Sequence, residues 1–301
     1  MDEIKNKLLS KSRQTAEDRR GKILCYACLS LIVVLIASIL YFITSKGIAT
    51  FTENHLSIVQ FFTGTKWDPG HKLIGALPMI TTSFLVTILA AVLATPFAIG
   101  VAIFMTEYAP KKGTKALRAV IELLVGIPSV VYGYIGLMVV VPLVRKLIGG
   151  TGFGILAGTL VLFVMILPTV ISLTADSLKA IPVSYRQAAL ALGATKWQSI
   201  YKIVLRAAMP GILTAIIFGM TRAFGEALAV QMVIGNAVLM PEGLGTPTAT
   251  LTSQLTSQMG NTVLGTVSNN ALWSLALVLL IMSLAFNLLI RFITRKGAIK
   301  R

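Results

Sequence analysis

The stretch GMTRAFGEALAV, residues 219–230, places a guanidinium and a carboxylate inside an apolar run. Arg222 and Glu226 fall within Gly211–Ile234, whose other residues are mostly apolar or small. Read as a helix, that run is about 36 Å long, and Arg222 sits near its middle. An Arg at the centre of a membrane helix costs on the order of 2.5–3.5 kcal/mol on insertion scales, so a partner is required. Glu226 follows at i+4, on the same helical face. A guanidinium is a planar, two-pronged donor suited to oxyanions, and a carboxylate within reach competes for it. The pair therefore reads either as a binding device or as an intrahelical ion pair that specifies packing. Ala215, Gly219, Ala223 and Ala227 form a small-residue stripe beside it, which lets another helix approach closely.

The elements that would position this pair are membrane spans. Of 301 residues, 55% are hydrophobic and 13% charged, where a soluble domain carries about 25% charged residues. A span needs about 20 apolar residues, and six runs qualify: 23–44, 77–105, 119–144, 154–175, 211–234 and 270–292. Pro96, Pro128 and Pro168 lie within them and predict kinks. The expectation is an all-α membrane protein, a bundle of six transmembrane helices. The first run exceeds a signal-peptide core and follows a charged tail, so it reads as a retained span. Cys25 and Cys28 form CYAC at its start, with no histidine nearby; they read as helix residues.

Charge sets the expected orientation. The tail 1–22, the loop after the second span, the loop after the fourth, and Arg291 with the tail 293–301 hold 21 of the 27 Lys and Arg residues. The other side holds five, Lys46, Lys66, Lys72, Arg145 and Lys146, and Arg222 is the last. Such a split predicts that both termini are cytoplasmic. It also accounts for the +16 net charge without nucleic acid, and the basic tails suit anionic lipid headgroups. Residues 46–75, with His55 and His71, and residues 235–268, without Lys or Arg, read as outer contact surfaces.

Between the fourth and fifth spans, residues 177–210 exceed a simple connection. VSYRQAALAL reads as one short helix after Pro182, Gly193 as a turn, and TKWQSIYKIVL as a second helix. Trp197, Ile200, Tyr201 and Val204 recur at spacings of three and four. This pair is either a docking element for a partner or an interfacial helix on lipid headgroups.

The loop resembles the coupling motif of binding-protein-dependent ABC importer permeases: Gln187, Ala188 and Ala189, then Gly193, then Ile203 and Leu205. Gln187 stands where the family has Glu, and Arg206 where it has Pro. The stretches 75–110, GIPSVVYGYIGL (126–137) and TRAFGEALAVQMVIGN (221–236) resemble phosphate-specific permeases, and Ala229-Val230 followed by Val233 to Asn236 resembles the PstC-type subunit.

This resemblance implies the type I importer permease fold over about residues 75–292. It implies a PstA-type second permease, two ATPase subunits, the coupling loop inserting into a groove on an ATPase, an external phosphate-binding protein and phosphate as cargo, in a bacterial or archaeal cell membrane. It gives Arg222 and Glu226 a transport role, with Arg222 contacting phosphate and Glu226 resetting it. Ser129 and Tyr132 are expected to line the path, and Gly126, Pro128, Gly133 and Gly136 to let the third span bend. The chain has no Gly-rich phosphate loop, nucleophile elbow or metal-ligand cluster, so it is read as non-catalytic and without a bound cofactor, ATP being used by the partner ATPase. Sulfate or molybdate as cargo, a secondary transporter and a membrane-integral enzyme remain alternatives.

Overall fold

The structure, a computed structural model, describes residues 13–297, with side chains described for 17–292. The tails 1–12 and 298–301, which carry part of the basic count, lie outside the described residues. Six helices are long and apolar enough to cross a membrane.

Helix α1 (Arg13–Thr52) is longer at both ends than expected and spans about 60 Å at 1.5 Å per residue. Its apolar stretch is unburied within the chain, and it packs mainly along the last span. The segment after it is ordered: α2 (Ile58–Thr63) is capped by Ser57, and β1 (Trp67–Asp68) pairs antiparallel with β2 (Leu73–Ile74).

Helix α3 (Leu77–Ile103) carries Pro96 and ends in a widened π-turn, Phe104–Tyr108. Next comes α4 (Lys111–Gly126), then α5 (Ser129–Ile135), a π-turn over Gly136–Val140, and α6 (Val141–Ile148). The expected third span, 119–144, is therefore broken. Ile127 is extended at φ −67°, ψ 128°, as the residue before a proline prefers. The spanning helix begins only at Ser129 and runs to Ile148, while α4 is a separate amphipathic helix.

Helix α7 (Ile155–Lys179) is the most buried span. It packs along α3 and supplies Leu162, Met165 and Ile166 to the central core. The loop after it holds α8 (Val183–Ala191) and α9 (Lys196–Ser199). Here too the structure departs from expectation. Instead of two short helices, α9 runs through a π-turn, Ile200–Val204, straight into α10 (Leu205–Phe224), as one helical rod from Lys196 to Phe224.

The fifth span was expected to continue to residue 234. It ends at Phe224; a short α11 (Leu228–Gln231) follows. The segment expected as an outer contact surface, 235–268, contains α12 (Leu251–Gln258), held by a capping box between Thr250 and Ser253. Leu251 and Ser253 are fully buried, so this part of the segment enters the bundle instead of lying on it. Helix α13 (Val267–Gly297) closes the fold against α1 and α10.

The small-residue stripe of the fifth span packs as predicted at three of its four positions. Ala215 and Ala223 are buried, and a Cβ on Gly219 would come within 2.6 Å of Val170 Cγ2. That glycine allows α10 to lie directly on α7. Ala227 falls beyond the helix end.

Candidate functional site: a buried arginine and a clamped loop

Arg222 occupies the last turn of α10. Its Nη1 donates to Thr169 Oγ1 at 2.6 Å. Thr169 directly follows Pro168 inside α7, so the guanidinium reaches the middle of the most buried span. Thr169 precedes Lys179 by ten positions, so the head group lies about 15 Å from that helix end. Among the described residues, the Thr169 hydroxyl is the one hydrogen-bond partner of this guanidinium.

The expected ion pair with Glu226 is not formed. The i+4 argument assumed a continuous helix, and the helix stops before Glu226. The Gly225 N–H returns to Thr221 O, and the Glu226 N–H to Ala223 O, at 3.2 Å each. The Glu226 carboxylate instead accepts from the Ala229 N–H at 3.1 Å, capping α11, while its backbone carbonyl accepts from Thr252 Oγ1 at 2.8 Å. It borders a cavity of about 10 Å³ with Ser83, Thr87, Thr250 and Thr252, room for roughly one water.

Tyr132 is buried in α5. It lies within electrostatic reach of Arg222, and its hydroxyl donates to Leu124 O at 2.8 Å, bridging the break at Pro128. Ser129 is half-buried one turn earlier. Gly133 and Gly136 serve close packing: a Cβ there would meet Ala229 or Val161.

In the loop, Gln187 and Ala188 are exposed while Ala189 is buried. Gly193 adopts φ +78°, a left-handed conformation that glycine adopts without strain, and it turns the chain from α8 to α9. Thr195 and Gln198 cap α9 reciprocally, at 2.9 and 3.2 Å. The amphipathic stripe splits as periodicity predicts: Ile200 and Val204 are buried, whereas Trp197 and Tyr201 are exposed and stacked at 6.3 Å. Ile203 joins Tyr185, Ala188, Ala189 and Leu192 around an open apolar groove of about 390 Å³, and Leu205 packs onto the Ile212 cluster.

Three residues outside the predicted set complete the arrangement. Arg186 donates from Nε and Nη2 to Glu107 Oε1, at 3.0 and 2.7 Å. Its Nη1 and Nη2 also donate to Ile181 O and Leu178 O, at 2.9 and 3.0 Å. Thr169 is the third. Glu107 and Arg186 are 79 residues apart, Thr169 and Arg222 53 apart, and no periodicity links them. The available signals were a lone Arg before Gln187 and a lone Glu at the end of a span.

The described residues thus form a bundle with six helices long and apolar enough to cross a membrane, with Arg222 held inside it and an apolar groove on the loop between the fourth and fifth of them. Residues 94–297 match the family model for the inner membrane component of binding-protein-dependent transport systems, and the chain belongs to that family.

It is 48% identical to the probable ABC transporter permease protein YqgH of Bacillus subtilis (strain 168), covering 95% of this chain and 94% of that one. It is 33% identical to the phosphate transport system permease protein PstC 1 of Mycobacterium tuberculosis (strain H37Rv), covering 80% and 83%.

Among solved structures, a chain of a bacterial ABC transporter involved in the import of the acidic polysaccharide alginate superposes with a TM-score of 0.65 at 14% identity, covering 95% of this chain and all of that one. A chain of the MetNI methionine ABC transporter gives 0.52 at 24% identity, covering 73% and 94%. The fold is that of type I ABC importer permeases.

Proposed function

We propose that this chain is the permease subunit of an ATP-driven phosphate importer and forms the translocation path with a PstA-type second permease. The observation that carries the reading is the Arg222 guanidinium, held at mid-depth by a neutral hydroxyl. A carboxylate partner would neutralise it, whereas a hydroxyl orients it and leaves its charge to attract an anion. The family match and the PstC-type relatives support the same reading.

An external phosphate-binding protein docks on the side of the β1–β2 hairpin. A polar cavity of about 560 Å³ lies there, lined by Trp67, Asp68, Asn236, Gln254, Gln258 and Asn261 among others. One of two ATPase subunits engages the 177–210 loop at its apolar groove, and the ATPases use ATP. The bias of Lys and Arg supports a cytoplasmic side for that loop and both termini, in the membrane of a bacterial or archaeal cell. Exposed apolar faces, above all that of α1, meet lipid and the second permease.

The test is radiolabelled phosphate uptake, with sulfate in parallel, in cells deleted for this gene and carrying either wild type or Arg222→Gln at matched membrane levels. Phosphate uptake restored by wild type and lost in the variant is expected. Equal restoration by both reduces Arg222 to a packing residue, and restoration of sulfate alone moves the cargo to another oxyanion.

A further inference from the structure

The Arg186–Glu107 contact differs from every other ion pair among the described residues. Its side chains are 20% and 10% exposed, whereas the other pairs are at least half exposed. It also joins several elements at once. Arg186 belongs to α8 in the loop, Glu107 to the π-turn that ends α3, and Leu178 to the last turn of α7. The second arm of the loop grips the same turn. Lys196 Nζ donates to the Glu107 backbone carbonyl at 2.6 Å and sits 4.4 Å over the Tyr108 ring.

We propose that Arg186 is a positioning residue for energy coupling: its clamp on Glu107 makes the 177–210 loop, α3 and α7 move as one body. A displacement imposed on the loop then passes along α7 to Thr169, and so to the Arg222 guanidinium. A planar guanidinium with its donors in a fixed fork resists rotation more than a single-point contact does. Lys at position 186 would keep the charge but not hold all the acceptors. Exposed pairs such as Arg118–Asp176, at 52% and 56% exposure, are screened and weak and cannot serve this purpose. The inference rests on the reading of the chain as an ATP-driven permease.

The experiment uses the full transporter, this chain with its second permease, ATPase and phosphate-binding protein, reconstituted in liposomes. ATP hydrolysis is measured with and without loaded binding protein, alongside phosphate uptake. Arg186→Gln is expected to lower stimulated hydrolysis and uptake about tenfold or more, while unstimulated hydrolysis and subunit stoichiometry stay at wild-type values. A second variant, Glu107→Cys/Arg186→Cys in a Cys25→Ser/Cys28→Ser background, is expected to regain stimulation when bridged by a short reversible thiol cross-linker and to lose it on reduction.

Wild-type stimulation in Arg186→Gln, failure of that variant to assemble, or no response of the double variant to cross-linking would each overturn the clamp's role. A wild-type complex that binding protein does not stimulate would instead remove the importer reading, and the clamp's role with it.

Discussion

Arg222 Nη1 and Thr169 Oγ1 meet at 2.6 Å, across the interface between the fifth and fourth spans. The contact replaces the salt bridge to Glu226 that the spacing predicts, and it puts the cation against the residue after Pro168. A proline at that point removes an N–H from the ladder and disturbs the preceding turn. The hydroxyl and the guanidinium therefore meet beside the one proline inside α7.

Thr169→Val keeps the volume and removes the acceptor. If the hydroxyl orients Arg222 toward an anion, this variant raises the KM for phosphate uptake several-fold and leaves membrane abundance unchanged. Unaltered kinetics would show that Arg222 needs no orienting partner.

Glu226→Ala removes the cap of α11 and should lower thermal stability by about 1 kcal/mol. Glu226→Gln keeps an acceptor for the Ala229 N–H and should lie close to wild type. Melting curves of the purified protein in detergent separate the two. Equal losses would mean that the charge, not the cap, is what matters at this position.

Gly219→Val forces a branched side chain into the contact with Val170. Overpacking of this kind costs about 1–3 kcal/mol, and the same assay should register it. A neutral result would show that α10 and α7 separate freely.

Gly193→Ala meets open space, since no atom lies within 4 Å of the added Cβ, yet it must adopt φ +78°. The expected strain is on the order of 1 kcal/mol, expressed as fraying between α8 and α9. Hydrogen exchange of the loop amides should rise there and not in α7.

Acid should loosen the β1–β2 hairpin. The His71 ring bonded to Asp68 at 2.6 Å holds the Asp68 carboxyl below its usual 3.8. A lowered folded-state pKa contributes stability present above the unfolded value and lost as pH falls through the folded one. Trp67 fluorescence is therefore expected to change below about pH 4, and the transition should vanish in Asp68→Asn.

The sequence by itself determined the number of spans, the small-residue stripe and the turn at Gly193, because these depend on composition and short-range spacing. Hydrophobic run length is a local quantity, and backbone satisfaction in lipid leaves helices as the available form for such runs. The same locality misled where helices stop. A run of apolar residues gives no sign that Gly225 ends α10 before Glu226, or that Pro128 splits 119–144 into α4 and a shorter span. Only the tertiary structure decided that Arg222 turns to Thr169, that Glu226 caps another helix and that Arg186 reaches Glu107. The Arg222 and Arg186 contacts join residues distant in sequence, the Glu226 cap is local but exists only because α10 ends before it, and a side chain's choice among polar partners is set by which helices have packed beside it.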